Sequence, residues 1–154
     1  RYFLLREIPA LGDGDFTFEK FEKRYNSDLA GGVGNLLSRT LAMINKKGIV
    51  IDKEIEQVFI NKNKEIEDRV KDNFIQFNES LNEIWELVSF CDKYIEEKKP
   101  WAIDDENENK IIFSNIIYSL KNISQMLSPF LPETAEKMDS QIKTLKAEPL
   151  FPRT

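Results

Sequence analysis

IEDRVKDNFIQFNESLNEIWELVSFCDKYI, residues 66–95, carries the clearest pattern in the chain. Its apolar positions Ile66, Val70, Phe74, Phe77, Leu81, Ile84, Val88, Cys91 and Ile95 step by threes and fours, the spacing of one buried stripe on a 3.6-residue helix. The stripe runs to Lys99-Pro100, where the proline disfavours the α conformation of the residue before it and ends the helix. Working toward the N-terminus, a second stripe links Phe18, Phe21, Tyr25, Leu29, Val33, Leu36, Leu37, Thr40, Leu41 and Ile44. Asp13-Gly14-Asp15 supplies a turn before it, Thr17 an N-cap, Glu19 a first-turn anion and Gly48 a stop. Between the two stripes, Asp52 is predicted to cap a helix bearing Ile55, Val58 and Phe59.

Toward the C-terminus, Asp104 to Asn109 reads as a polar connector and Lys110 to Leu127 as a helix, apolar at Ile112, Phe113, Ile116, Ile117, Leu120 and Ile123. Ser128-Pro129 stops that helix, and Pro132 fits the first position of a short last one through Ala135, Met138 and Ile142. The tail from Glu148 to Pro152 is not helical throughout. No segment alternates at period two for long enough to predict a strand. The expectation is an all-α bundle of about five to six helices with short connections.

Composition narrows the chemistry. Among 154 residues there is no histidine and one cysteine, Cys91. Imidazole-based triads, His-ligated metals, disulfides and cysteine metal clusters are therefore all excluded, and no metal site is expected. No apolar run suits a membrane span or a secretion signal. The net charge of −5 argues against a generic nucleic-acid binder, because phosphate neutralisation needs a basic surface. Yet Lys20, Lys23, Arg24, Arg39, Lys46 and Lys47 outnumber Glu19, Glu22 and Asp28 between Phe16 and Ile51, leaving a local excess of positive charge. The chain also opens in helical register without an initiator methionine, which predicts a piece of a longer protein.

Four strings taken together carry a resemblance: RYFLLREIP at residues 1–9, DGDF at 13–16, RYNSDLA at 24–30 with GNLLSR at 34–39, and Lys99-Pro-Trp101. Followed by LSPFLP at 127–132, they resemble methionyl-tRNA synthetases over essentially the whole chain. The resemblance implies that residues 1–16 end a stem-contact segment leading from a catalytic domain upstream, and that 17–154 form the anticodon-binding domain of a class I synthetase. It implies that Asn35 and Arg39 hydrogen-bond the anticodon and that Trp101 stacks on its first base, a cytosine. The parent would use ATP and Mg2+ to attach methionine to its CAU-bearing tRNA in the cytoplasm. This chain, lacking the catalytic motifs, would hold no cofactor and be inactive alone.

The residue physics is compatible with those roles. Asn35 and Arg39 are spaced i, i+4 and project from one helical face, beside the apolar stripe. Asparagine offers a donor and an acceptor to a Watson–Crick edge, and arginine a planar fork. Unstacked anticodon bases need a face to stack on. Trp101 either provides it or caps a core from a loop, whereas Trp85, inside the strongest stripe, reads as core. Lys46, Lys47 and Lys99 are candidates for phosphate contacts.

Gly31, Gly32 and Gly34 either break the helix or admit RNA or a neighbouring helix close to bare backbone. Relatives usually carry polar or larger residues at 31 and 32, and a lysine soon after Trp101 where this chain has Asp104-Asp105-Glu106. Lys98, Lys99 or Lys110 would have to substitute for that lysine. Two other readings remain: the equivalent domain of another class I synthetase, and a helical protein-interaction module that uses its amphipathic stripes.

Overall fold

A computed structural model describes residues 1–8 and 12–152; Pro9 of the first string and the last two residues of the chain lie outside them. The described residues form helices and connections, with no strand. In order they are α1 Tyr2–Glu7, α2 Phe18–Arg24, a π-helical run Tyr25–Gly34, α3 Asn35–Lys47, α4 Gln57–Asp72, α5 Phe77–Lys98, a 3-10 turn Pro100–Ala102, α6 Glu106–Leu127 and α7 Pro132–Thr144. Counting the kinked run 18–47 as one helix gives six, in line with the predicted bundle.

The Thr17 side chain accepts the Lys20 N–H at 3.2 Å and starts α2 as expected. The glycine segment then satisfies both of its readings. The helix widens to π geometry and kinks at Gly32, whose φ of −92° and ψ of −105° are not helical. A Cβ at Gly32 would sit 3.2 Å from Trp85 Nε1, so α5 approaches bare backbone there. α3 ends at Gly48 in the left-handed region (φ 64°, ψ 35°). The Gly48 N–H bonds to the Asn45 carbonyl and the Ile49 N–H to the Ile44 carbonyl, the double closure of a Schellman motif.

Three expectations need correction. Asp52 does not cap α4, which starts after Glu56, and it lies instead 3.8 Å from Lys110 Nζ. Side chains of α6 hold the approach to α4 extended: the Lys53 N–H donates to Ser114 Oγ at 3.3 Å and the Glu56 N–H to Asn115 Oδ1 at 2.9 Å. Ile55 thus precedes the helix, and Val58 faces solvent while Phe59 is buried.

The stripe from Ile66 to Ile95 is not one helix but a hairpin of α4 and α5, broken at Asn73–Gln76. Phe74 and Ile75 at the turn are 69% and 79% exposed. Ser80 Oγ donates to the Asn73 and Val70 carbonyls at 3.0 and 3.3 Å, satisfying acceptors at the end of α4. Reversal lets Phe59 and Ile66 face the apolar side of α5, burying two stripes that a straight rod would leave wet.

The third correction concerns the connector, which is shorter than expected. α6 begins at Glu106, because Asp105 accepts the Glu108 N–H at 2.8 Å and places Glu106 and Glu108 in a first turn where the helix dipole favours anions. Pro132 does stand first in α7.

α5 and α6 form the centre, with α4 and α3 packed on both, α1 against α5 and α7 against α6. Phe59, Phe113, Leu36, Leu37, Leu41, Leu81, Ile84 and Ile95 are fully buried, each worth roughly 1.5–3 kcal/mol relative to exposure. α6 is buried on most of its circumference, and most of its buried polar side chains find partners. Asn63 Nδ2 donates to Ser119 Oγ and to the Phe59 carbonyl, both at 2.8 Å, and Ser124 Oγ donates to Asp139 Oδ1 at 2.8 Å. Trp85 belongs to this interior: half-buried, its ring centroid 4.9 Å from that of Tyr2, it donates from Nε1 to the Asp28 carbonyl at 3.1 Å.

Candidate nucleic-acid interface

α3 places Asn35 and Arg39 one turn apart on one flank, with Lys47 about two turns further along the same helix. Asn35 opens the helix and is exposed. One turn on, the Arg39 guanidinium lies over the Trp101 ring, 5.1 Å from its centroid. Nη2 of Arg39 also forms an ion pair with Glu96 Oε1 at 2.7 Å. A cation over an exposed indole contributes about 0.5–1 kcal/mol, and an ion pair open to water about 0–1 kcal/mol. Neither is strong enough to prevent rearrangement on binding.

Trp101 reaches this place through the end of α5. Lys99 takes the left-handed conformation (φ 50°, ψ 58°) and donates its N–H to the Ile95 carbonyl, closing the helix where the proline forbids its continuation. Pro100 is buried, and the 3-10 turn that follows turns Trp101 outward, leaving it 47% exposed. The indole does not cap the core. Ile103, past the turn, is held by its carbonyl, which accepts from Lys47 Nζ at 2.7 Å and from Asn109 Nδ2 at 2.9 Å.

The three lysines singled out for phosphate differ in setting. Lys46 and Lys99 are exposed, whereas Lys47 is half-buried with its ammonium on the Ile103 carbonyl. Lys98 lies over the Tyr94 ring at 5.9 Å, and Lys110 lies between Asp52 and Glu106. Of the six cations in the locally basic stretch, Lys20 pairs with Asp15, Arg24 with Glu7 and Asp28, and Arg39 with Glu96. Much of the local positive excess is therefore met by acids from outside that stretch.

Two acids beside Arg39 escaped the sequence reading. Glu96 and Asp92 stand one turn apart on α5. Burial pushes the Asp92 carboxyl up to about 6; Arg39 pulls it down and Glu96 pushes it further up. Their i, i+4 spacing ahead of Lys99-Pro-Trp101 was the available signal. Cys91, buried one residue before Asp92, has its thiol pushed up to about 12 by desolvation, which suits packing and not chemistry. Among the described residues no group of three His, Cys, Asp or Glu is placed to hold a metal ion, and no helix is long and apolar enough to cross a membrane.

This helical fold, with a cation and an indole stacked on one exposed flank, coincides with a known class. Residues 52–151 match the family described as the anticodon-binding domain of tRNA ligase, and the chain belongs to it. Residues 1–41 match a second family, tRNA synthetases class I (M).

Among curated proteins, the methionine–tRNA ligase of Clostridium tetani is 37% identical over 185 residues, an alignment covering 99% of this chain and 29% of that protein. The methionine–tRNA ligase of Bacillus subtilis is 36% identical, covering 99% of this chain and 28% of that protein. The chain thus spans under a third of the length of these relatives. Among solved structures, the apo form of Mycobacterium tuberculosis methionyl-tRNA synthetase superposes with a TM-score of 0.83 at 24% identity, over 99% of this chain and 38% of that one. That likeness shows the fold. The same organism's enzyme in complex with methionyl-adenylate gives a TM-score of 0.82 at 25% identity, over 99% of this chain and 36% of that one.

Proposed function

We propose that this chain reads the CAU anticodon of methionine tRNA on behalf of a methionine–tRNA ligase. Trp101 stacks on the first anticodon base, while Asn35 and Arg39 hydrogen-bond exposed base edges. Lys46 and Lys99 meet the phosphates of the loop. The segment before residue 17 connects this bundle to the part of the parent protein that activates methionine with ATP and Mg2+ and transfers it to tRNA in the cytoplasm. The bundle makes and breaks no bond itself. Its binding energy raises kcat/KM for the cognate tRNA by holding the acceptor end in a distant active site.

The observation that carries this reading is the stacked pair of Arg39 and Trp101, 5.1 Å apart on a solvent-open flank with Asn35 one turn away. An unstacked base needs a π face and edge-reading donors within one nucleotide's reach, and the patch offers both. The methionine–tRNA ligase relatives supply the specificity of the proposal.

Tryptophan fluorescence tests it. A CAU stem-loop should quench the wild-type chain more than a stem-loop with a changed first base. The difference should vanish in Trp101→Phe and survive in Trp85→Phe. Equal quenching by both RNAs would defeat base-specific reading.

A further inference from the structure

The Trp101 indole is nearly half exposed, so the hydrophobic core does not dictate where its face points. Its orientation depends on the backbone of the short turn that carries it. Upstream, that turn is anchored by the buried Pro100 and by the Ala102 N–H on the Lys99 carbonyl at 2.8 Å. Downstream, the anchor is the Ile103 carbonyl, which receives donors from two separate helices: Lys47 Nζ, from the last residue of α3, and Asn109 Nδ2, from the first turn of α6.

Both donors are unusual. A lysine ammonium at a helix C-terminus ordinarily stays hydrated or finds a carboxylate; this one is half-buried and spent on a main-chain oxygen. Asn109 is 2% exposed, and its Oδ1 has no hydrogen-bond partner among the described residues. A buried amide left with an unmet acceptor costs stability, so its remaining bonds, to the Ile103 and Asp105 carbonyls, determine its placement. Lys47 also belongs to α3, about two turns beyond Arg39. One helix therefore supplies the edge-reading side chains and grips the platform they work against.

We propose that Lys47 and Asn109 are positioning residues that clamp the Ile103 carbonyl and so fix the Trp101 ring against Arg39 before RNA arrives. This rests on the anticodon-reading proposal for its purpose, but the clamp itself exists without RNA. Lys47 on this account touches no phosphate. It acts through Trp101, preorganising a stacking surface whose ordering would otherwise weaken binding.

The test uses the 154-residue chain labelled with fluorotryptophan, which gives one fluorine NMR line for Trp85 and one for Trp101, assigned with Trp101→Phe. In RNA-free protein, Lys47→Met and Lys47→Gln should shift or broaden the Trp101 line, leave the Trp85 line in place, and be rescued by Lys47→Arg. With a CAU stem-loop, Lys47→Met should weaken binding about fivefold or more, the low end of what a lost base stack costs. The dependence of affinity on salt should stay unchanged. A Trp101 line unmoved by both variants would overturn the clamp. So would movement of both lines together, which signals general loss of packing. A salt slope reduced by about one, with the Trp101 line in place, would make Lys47 a phosphate contact instead. Because the fluorine readout needs no RNA, failure to discriminate anticodons would sink the functional reading and leave the clamp standing or falling on its own.

Discussion

Gly34→Ala offers a sharp test of the packing that presents Asn35. Gly34 has ordinary helical angles (φ −64°, ψ −45°), so its conformation does not require glycine. What requires it is space. A Cβ there would lie 2.8 Å from the Leu29 carbonyl oxygen, closer than real Cβ atoms come, and 3.2 Å from Cδ2 of Phe151. The carbonyl is main chain inside the widened π run and cannot swing aside as a side-chain tip would. Overpacking of this kind costs about 1–3 kcal/mol, against about 1 kcal/mol gained from alanine's better helix propensity. Because the 2.8 Å clash is with main chain, the upper part of that cost range applies, and the net expectation is a loss of about 1–2 kcal/mol.

In a domain of this size that corresponds to a fall in Tm of about 2–8 °C. Thermal unfolding followed by circular dichroism reads it directly. Gly48→Ala provides the contrast: nothing lies within 4 Å of a Cβ there, and φ is +64°. It should lose about 1 kcal/mol through left-handed backbone strain alone. A Gly34→Ala protein as stable as wild type, or more so, would refute the claim that close approach of the Leu29 carbonyl keeps this position bare.

Asp92 predicts a pH effect. Its folded pKa of about 6 lies above the unfolded value of about 3.9, so between those values the native state binds more protons and stability falls as pH rises. Asp92→Asn should remove that decline, be more stable than wild type above pH 7 by about 1 kcal/mol once the group's partial contact with water is allowed for, and match it below pH 4; denaturant midpoints across pH check it, and parallel curves would contradict it. Cys91 should resist a thiol reagent until the protein unfolds, since desolvation holds its thiol near 12; prompt labelling of native protein would show an open core.

The sequence displays helices more clearly than it displays where they turn. The period of the 66–95 stripe survives the reversal at Asn73–Gln76 because Phe74 and Phe77 happen to continue the count, and neither glycine nor proline marks the corner. The turn is decided by what Phe59 and Ile66 must bury against, which is a tertiary matter. The start of α4 was hidden for a similar reason: Ser114 and Asn115 reach across from α6 to hold its approach extended, and no local signal competes with the plausible cap at Asp52. Thr17, Gly48 and Pro132, whose roles are local, could be read directly.

At the candidate site, the common flank of Asn35 and Arg39 follows from spacing alone. The meeting of Arg39 with Trp101 does not, because it depends on how the end of α5 packs beside α3. The pairing of Arg39 with Glu96 and of Lys47 with the Ile103 carbonyl was hidden for the same reason: a stripe shows which face of a helix is buried and not which neighbour fills it.

The central claim, that one exposed patch built on Asn35, Arg39 and Trp101 reads an anticodon, is tested most directly by calorimetric titration of two stem-loops into wild-type and Trp101→Ala protein, one bearing CAU and one with its first base changed. The account predicts that wild type binds the CAU loop more tightly, and that Trp101→Ala weakens that binding by about 1–3 kcal/mol and narrows the preference. Equal affinity of the wild-type chain for both loops, or an unchanged CAU affinity in Trp101→Ala, would contradict it.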